Sequence, residues 1–449
     1  MKRSPSFLIA LCITFALAAG CGNPKVEEEG SFDASAAPGR TIVPRPLADW
    51  ARWRGPNGDG VAQDPDFDPF ALQGLDLPLA KANSRLVWKT KVGLGYSGVA
   101  VAGDFAYTLG FARDKGGRLG TDTVYGIDDR TGKTAWTYSY PSSAATYTGP
   151  RAFPLVHDGF LYTVSWDGKI FCLDALKGTL AWTVDVQAEY GLVKREEEFG
   201  FVAPPIIEGD VLIINAREWG VGLDRRTGRK IWDSPVGRSG YSPPVAFTRG
   251  GKRLVAVLGA EKLYVVDPLT GVVQAAADWR TPLQGNFADP IVRGDTILIS
   301  STYDQGYGMF RLTGNGLETL WRRKGLGAQM AAGVVIDGYY YGHDFWYYYH
   351  RGEYVCLDTA TGRTMWTRKM GMGSVVAVGT YLLLMTETGR LIAAVATPAA
   401  YREIASCQLG KKRVGEWFTL PTFARSRLYV RNFSGDCFCL DLAKKPQAD

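Results

Sequence analysis

A short phrase recurs along this chain, Asp followed four positions later by Gly and four positions after that by Trp, and it narrows the possible folds severely. It reads Asp128, Gly132 and Trp136; Asp174, Gly178 and Trp182; Asp224, Gly228 and Trp232; and Asp358, Gly362 and Trp366. Asp267 and Gly271 keep the spacing with Ala275 in the Trp position, while Trp321 has lost the Asp and Gly. Counting from Trp88, the Trp positions advance in steps of roughly 45 residues, the size of a propeller blade of four short strands.

The phrase has a mechanical origin. Asp at the end of a third strand caps the following turn, Gly supplies the positive φ that closes it, and Trp on the fourth strand packs between blades. A residue repeated around a ring serves every blade, whereas a catalytic group is normally needed once, so the repeat is read as structural. The clearest unit predicts strands over residues 153–157, 160–165, 169–174 and 179–185, separated by Asp/Gly turns.

Counting units predicts how the ring closes. Arg85 to Val92, around Trp88, reads as a fourth strand with nothing before it, and Arg427–Arg431 and Cys437–Asp441 read as second and third strands with no fourth after them. Joined, they form one composite blade. With a degenerate seventh unit ending near Tyr401 to Gln408, the expectation is an all-β, eight-bladed propeller of four-stranded antiparallel blades, closed by an N-terminal strand completing the last blade. The 449 residues would ordinarily suggest several domains, but the repeat overrides that prior; 54 glycines suit many tight turns. The net charge of +6 is mild and no basic cluster stands out, which argues against nucleic acid as a partner.

The N-terminus addresses location. Lys2 and Arg3 precede an apolar run from Phe7 to Ala19, and Leu17-Ala-Ala-Gly20-Cys21 resembles a bacterial lipobox, with Ala18 where Leu is commonest. The division predicted is a lipoprotein signal peptide over 1–20, a flexible tether over 21–49, a clasp over 50–83, the propeller over 84–442 and a tail over 443–449. Cys21 becomes the lipidated first residue; an ordinary secretory signal cut nearby is the alternative. The expected place is the cell envelope, lipid-anchored at the outer membrane and facing the periplasm.

Beyond the signal, Cys172, Cys356 and Cys439 occupy one slot, two residues before the turn Asp, and read as small buried packing residues. Cys407 and Cys437 fall in adjacent blades where a disulfide is open to them but not required. The chain has no Cys-x-x-Cys-His haem motif, no paired Cys-x-x-Cys knuckle and no adjacent Cys-Cys.

The phrases Trp50-x-x-Trp53-Arg54-Gly55-Pro56-Asn57-Gly58-Asp59-Gly60, Gly149-Pro-Arg-Ala152, Gly240-Tyr-Ser-Pro243 and Asp337-Gly-Tyr-Tyr-Tyr-Gly342-His343, with the repeated turns, resemble the PQQ-binding-like β-propeller repeat family of planctomycete type. The resemblance covers about residues 50 to 442. The chain is more distantly similar to the BamB lipoproteins of outer-membrane assembly and to the quinoprotein alcohol dehydrogenases. It implies the fold strongly and a reaction weakly, because enzymes and scaffolds share the repeat.

Two functions compete. One is a non-enzymatic periplasm-facing lipoprotein, a scaffold for another envelope protein or peptide, with no cofactor predicted. The alternative is a quinoprotein dehydrogenase oxidising an alcohol or sugar with PQQ and Ca²⁺. The resemblance implies for that enzyme a Trp floor, a Glu/Asn/Asp calcium set, an Asp base and often a vicinal disulfide. That disulfide cannot form here, and the calcium set has no matching motif. An isolated Asn286 or Glu189 supplies too few oxygens for a hard cation. The Asn57 and Asp59 alternation lacks a far-end ligand and reads as a clasp whose two Trp residues dock on the propeller.

Irregular segments are the better candidates for function. Residues 339–350 are read as an insertion in the sixth blade, and His343, Asp344, Phe345, Trp346, Tyr347, Tyr348, Tyr349 and His350 form the candidate interaction loop. The alternative is a loop that covers its own blade edge. Arg151, Tyr241 and Asn286 are candidates for the channel mouth. Residues 189–200 and 111–123 read as solvated loops.

Overall fold

The computed structural model describes residues 49–75, 85–115, 117, 119–143, 148–190, 199–282, 284–346 and 351–445. The signal and Cys21, the tether through residue 48, residues 191–198 and Tyr347, Tyr348, Tyr349 and His350 lie outside them. Among the described residues, no helix is long and apolar enough to cross a membrane.

Eight antiparallel sheets, each built on four strands, form an eight-bladed propeller. Blade 2 shows the pattern, with strands Leu155–His157, Phe160–Val164, Lys169–Asp174 and Leu180–Asp185. The first strands of successive blades neighbour one another around the axis. Blade 8 is the composite: Leu86–Lys91 pairs antiparallel with Asp436–Asp441, beyond which lie Arg427–Arg431 and Thr422–Ala424. The ring therefore closes by hydrogen bonds between chain ends and exposes no open blade edge there.

The Trp residues staple each blade to the next. Trp88, Trp136, Trp182 and Trp232 donate their indole N–H to the carbonyls of Asp129, Ala175, Arg225 and Pro268, each just after a turn Asp of the following blade. Trp321 likewise donates to Thr359 O, after Asp358, and Trp366 to Thr397 O in blade 7, where no turn Asp precedes the acceptor. Each turn Asp accepts two or more backbone N–H groups, as Asp174 does from Leu176 and Lys177 at 2.9 and 2.8 Å. Gly178 has φ 71°, and a Cβ there would lie 2.3 Å from the Trp136 ring. Gly is thus required for both conformation and space.

Opposite Trp182, Trp366 and Trp88 on the adjacent strand sit Cys172, Cys356 and Cys439, all fully buried. Gly126 and Gly222 fill that place opposite Trp136 and Trp232. The slot takes a small residue because the indole lies over it. Among the described cysteines no disulfide forms, and Cys407 and Cys437 are both buried thiols. Where Ala275 replaces Trp, Trp279 makes the bridge instead, donating to Ser301 Oγ at 3.0 Å and packing against Gly308 of blade 5.

Two segments read as insertions or loops are strand. Tyr339–Trp346 pairs with Arg351–Asp358 in unbroken register, and Phe105–Arg113 with Leu119–Asp128. Aromatic and β-branched residues there continue the ladder outward, so these blades have long hairpins.

Candidate functional site

The two faces of the ring differ. Residues 49–68 run as a strap across the face that carries the turns between first and second strands. Trp50 bridges Val101 of blade 1, Ala51 O accepts from Val156 N of blade 2, and Asp49 holds Gly103 N. Arg54 then reaches blades 5 and 6, donating to Ala332 O and Gly333 O and pairing with Asp289 at 3.2 Å, both partners 1% exposed. Val61–Ala62 adds a fifth, parallel strand to blade 7, and Asp64 and Phe67 meet blade 8 at Ser426 and Ala443. Contacts with blades 1 and 2 and then 5 and 6 take the strap over the axis.

The opposite face opens into an axial cavity of about 430 Å³ lined from all eight blades. Most of its walls come from the segments that lead into the first strands; Phe345 of a second strand, Glu387 of a turn between second and third strands and Trp53 of the strap also line it. Trp53 packs edge-on against Phe153 with centroids 5.8 Å apart, which fixes the ring. Tyr241 stacks on Phe287 at 4.7 Å, and Phe199 meets both edge-on. Tyr96, Phe345 and Phe418 extend the aromatic lining. Two apolar lining residues are exposed, Met330 at 43% and Val414 at 81%.

Among its described lining residues only Arg151 and Glu387 are charged. Arg151 donates to Phe199 O, and Glu387 Oε1 accepts from Met372 N at 3.1 Å. A calcium ion needs six to eight converging oxygens. Among the described residues no three His, Cys, Asp or Glu side chains gather as a metal site requires. Among the described lining residues Glu387 is the one carboxylate and is tied to the backbone, so the described donor set does not fit a calcium-quinone pair.

Of the channel-mouth candidates, Arg151 and Tyr241 line the cavity. Asn286 does not: it is fully buried between blades 4 and 5, donating to Gly259 O and Ala260 O and accepting from Ser301 Oγ at 2.8 Å. Of the candidate interaction loop, His343, Asp344 and Phe345 are buried strand residues, which corrects their reading as an exposed loop. Burial pushes His343 down to about 4 and Asp344 up to about 7, and Tyr307 OH donates to Asp344. Phe345 faces the cavity; Trp346 ends the strand. Sequence reasoning missed Trp53, Phe199, Phe287, Gln329 and Glu387 as lining residues; the last four share proximity to a first-strand entrance or a turn on that face, whereas Trp53 is brought in by the strap.

Comparison with known proteins adds kinship. Residues 78–242 and 120–368 match the family model described as outer membrane protein assembly factor BamB. A curated relative, the quinohemoprotein alcohol dehydrogenase ADH-IIG of Pseudomonas putida, is 31% identical over 121 residues, covering 24% of this chain and 16% of its own length. The chain thus spans under a fifth of that relative. Among solved structures, BamB from Moraxella catarrhalis superposes with TM-score 0.56 at 16% identity, covering 79% of this chain and 99% of that one. A europium-containing methanol dehydrogenase gives TM-score 0.60 at 12% identity, covering 86% and 89%. At these identities the structural likeness speaks for the fold.

Proposed function

This chain belongs to the family of the outer membrane protein assembly factor BamB, and from that premise we propose that it is a non-enzymatic envelope scaffold. In this reading it is lipidated at Cys21, held at the outer membrane and facing the periplasm. Its open face docks another envelope protein by taking an apolar side chain into the axial cavity. The observation that carries the reading is the cavity itself: aromatic walls, only Arg151 and Glu387 charged among its described lining residues, a strap across the other face, and exposed Met330 and Val414 in the lining. Rigid aromatic pockets with an apolar rim are the chemistry of protein-docking hot spots.

The 121-residue match to a quinohemoprotein alcohol dehydrogenase favours the second reading, a PQQ- and Ca²⁺-dependent oxidation of an alcohol or sugar. The donor set described above weighs against it.

Deleting the gene in its own host and quantifying outer-membrane β-barrel proteins tests the first reading. Their levels should fall on deletion, return with the wild-type gene, and stay low with Val414→Asp. Unchanged levels, together with saturable PQQ binding in the presence of Ca²⁺, would replace the scaffold with the quinoprotein.

A further inference from the structure

Two runs of three consecutive bases occur in the chain, Arg322-Arg323-Lys324 and Lys411-Lys412-Arg413. Neither is long enough to stand out in the sequence, yet the fold sets both on one face. Each falls where a fourth strand, Gly316–Arg323 of blade 5 or Arg402–Gln408 of blade 7, gives way to a connection on the open face. Each also precedes an exposed apolar residue of the cavity lining, Met330 after the first run and Val414 after the second.

The second run is firmly held at the mouth. Leu409 N donates to Gly389 O at 2.9 Å and Trp417 N to Glu387 O at 3.2 Å, so both feet of the loop stand on the blade 7 turn whose Glu387 lines the cavity. Trp417, fully buried, stacks on Phe438 and closes over Gly389. Between these feet Lys411, Lys412, Arg413 and Val414 are all exposed, and none of the three bases has an ion pair or hydrogen bond among the described residues. The two carboxylates of this corner, Glu387 and Glu416, accept from Met372 N and Ser434 N rather than pairing with the run.

In the first run Arg322 donates to Asp278 O and Arg323 to Gly362 O, while Lys324 is exposed and has no ion pair among the described residues. Asp304 lies beside it, its carbonyl accepting from Gly325 N at 3.2 Å. Elsewhere on this face Asp233 pairs with Arg217, and Glu261 with Arg280 at 3.3 Å. Next to Met330 and Val414 the balance of unpaired charge is therefore positive, with Lys324, Lys411, Lys412 and Arg413 set against Asp304.

We propose that the open face selects an acidic segment of its partner, in which Asp or Glu residues flank the apolar side chain that enters the cavity. This rests on the scaffold reading and names the chemistry of its partner. The apolar anchor enters among the aromatic walls, and its flanking carboxylates meet the 411–413 run, so rim charge steers and orients a segment that the pocket holds. An anionic lipid surface also attracts bases, but it is recognised by clusters of about four to eight of them beside a protruding apolar face. Here the apolar groups line a concavity.

The test places a photoreactive residue at position 414 of the full chain in its native host and sequences the crosslinked peptide by mass spectrometry. The segment found should hold an excess of Asp and Glu over Lys and Arg. Lys411→Glu with Lys412→Glu should lower the crosslink yield about tenfold, because like charges then face each other across the rim. Lys133→Glu with Lys177→Glu makes the same change in net charge on turns of the strap face and should leave the yield unchanged. All four side chains are exposed, so melting temperatures of the purified variants should match the wild type. Replacing the acids of the crosslinked segment with lysine should restore the yield to the first variant. A neutral or basic segment, or a yield indifferent to the reversal at 411 and 412, overturns this inference alone and leaves the scaffold standing. Equal loss from both pairs of reversals makes the effect one of net charge and also overturns it. A lipid adduct in place of a peptide overturns it in favour of a membrane surface. No adduct at all removes the docking face, and this inference with it.

Discussion

At the scale of the residue, one indole does two jobs at once: Trp136 donates across the blade boundary to Ala175 O and covers the φ-positive Gly178 of the same turn. Two other residues in the blades carry titrating groups. Asp344 is buried under the Tyr307 hydroxyl, and burial raises it from 3.8 to about 7. Between those values the folded chain holds the proton more tightly than the unfolded chain, so stability falls as pH rises through that window. His343 acts in the opposite sense: lowered from 6.5 to about 4, it adds stability that is complete above 6.5 and lost as pH falls toward 4. Asp344→Asn removes only the first effect. Its melting temperature relative to the wild type should therefore climb from pH 4 to pH 7 and level off above, in paired thermal melts; a difference independent of pH would remove Asp344 as the titrating group. The sequence placed this pair in a solvent loop because Tyr339-Tyr-Tyr-Gly-His343 looks irregular beside its sister blades. Pairing of Tyr339–Trp346 with Arg351–Asp358 buries it instead.

At the scale of the element, the strap is what the period alone does not describe. The phrase Trp50-x-x-Trp53-Arg54-Gly55 announced a clasp with docked Trp residues, and Trp50 is fully buried while Trp53 lines the cavity. Its route across the ring, and the parallel strand Val61–Ala62 on blade 7, depend on partners more than two hundred residues away and leave no local pattern. The blades were legible because each turn is self-contained: Asp, Gly and Trp define it within nine residues of sequence. The strap's central fastening is Arg54 with Asp289, an ion pair shut off from water. Arg54→Met leaves the Asp289 carboxylate buried beside Ala332 N alone and should cost about 3–5 kcal/mol. Adding Asp289→Asn should restore part of that loss, since the buried charge goes with it. Urea unfolding of the two variants reads both; a double variant no more stable than the single one would mean that the strap is held by its backbone contacts.

At the scale of the whole molecule, ring and strap together produce asymmetry. One face is crossed by the chain, and the other opens to an aromatic cavity to which every blade contributes one entrance segment. Arg151 and Tyr241 were legible as channel residues because each precedes a first strand, and the same logic failed for Asn286, whose side chain turns back to bridge Gly259 and Ser301. Position along a blade is written in the repeat; the direction of a side chain at the mouth is decided by neighbours from another blade. The scaffold account makes the open face the docking surface, and its most direct test is site-specific photo-crosslinking in the native host. A photoreactive residue at position 414, in the cavity lining, is compared with one at 272, exposed in the turn between the third and fourth strands of blade 4. The account predicts a discrete crosslink from 414 to one envelope protein, absent from 272 and abolished by Met330→Asp. No crosslink from 414, or equal crosslinks from both positions, would contradict it.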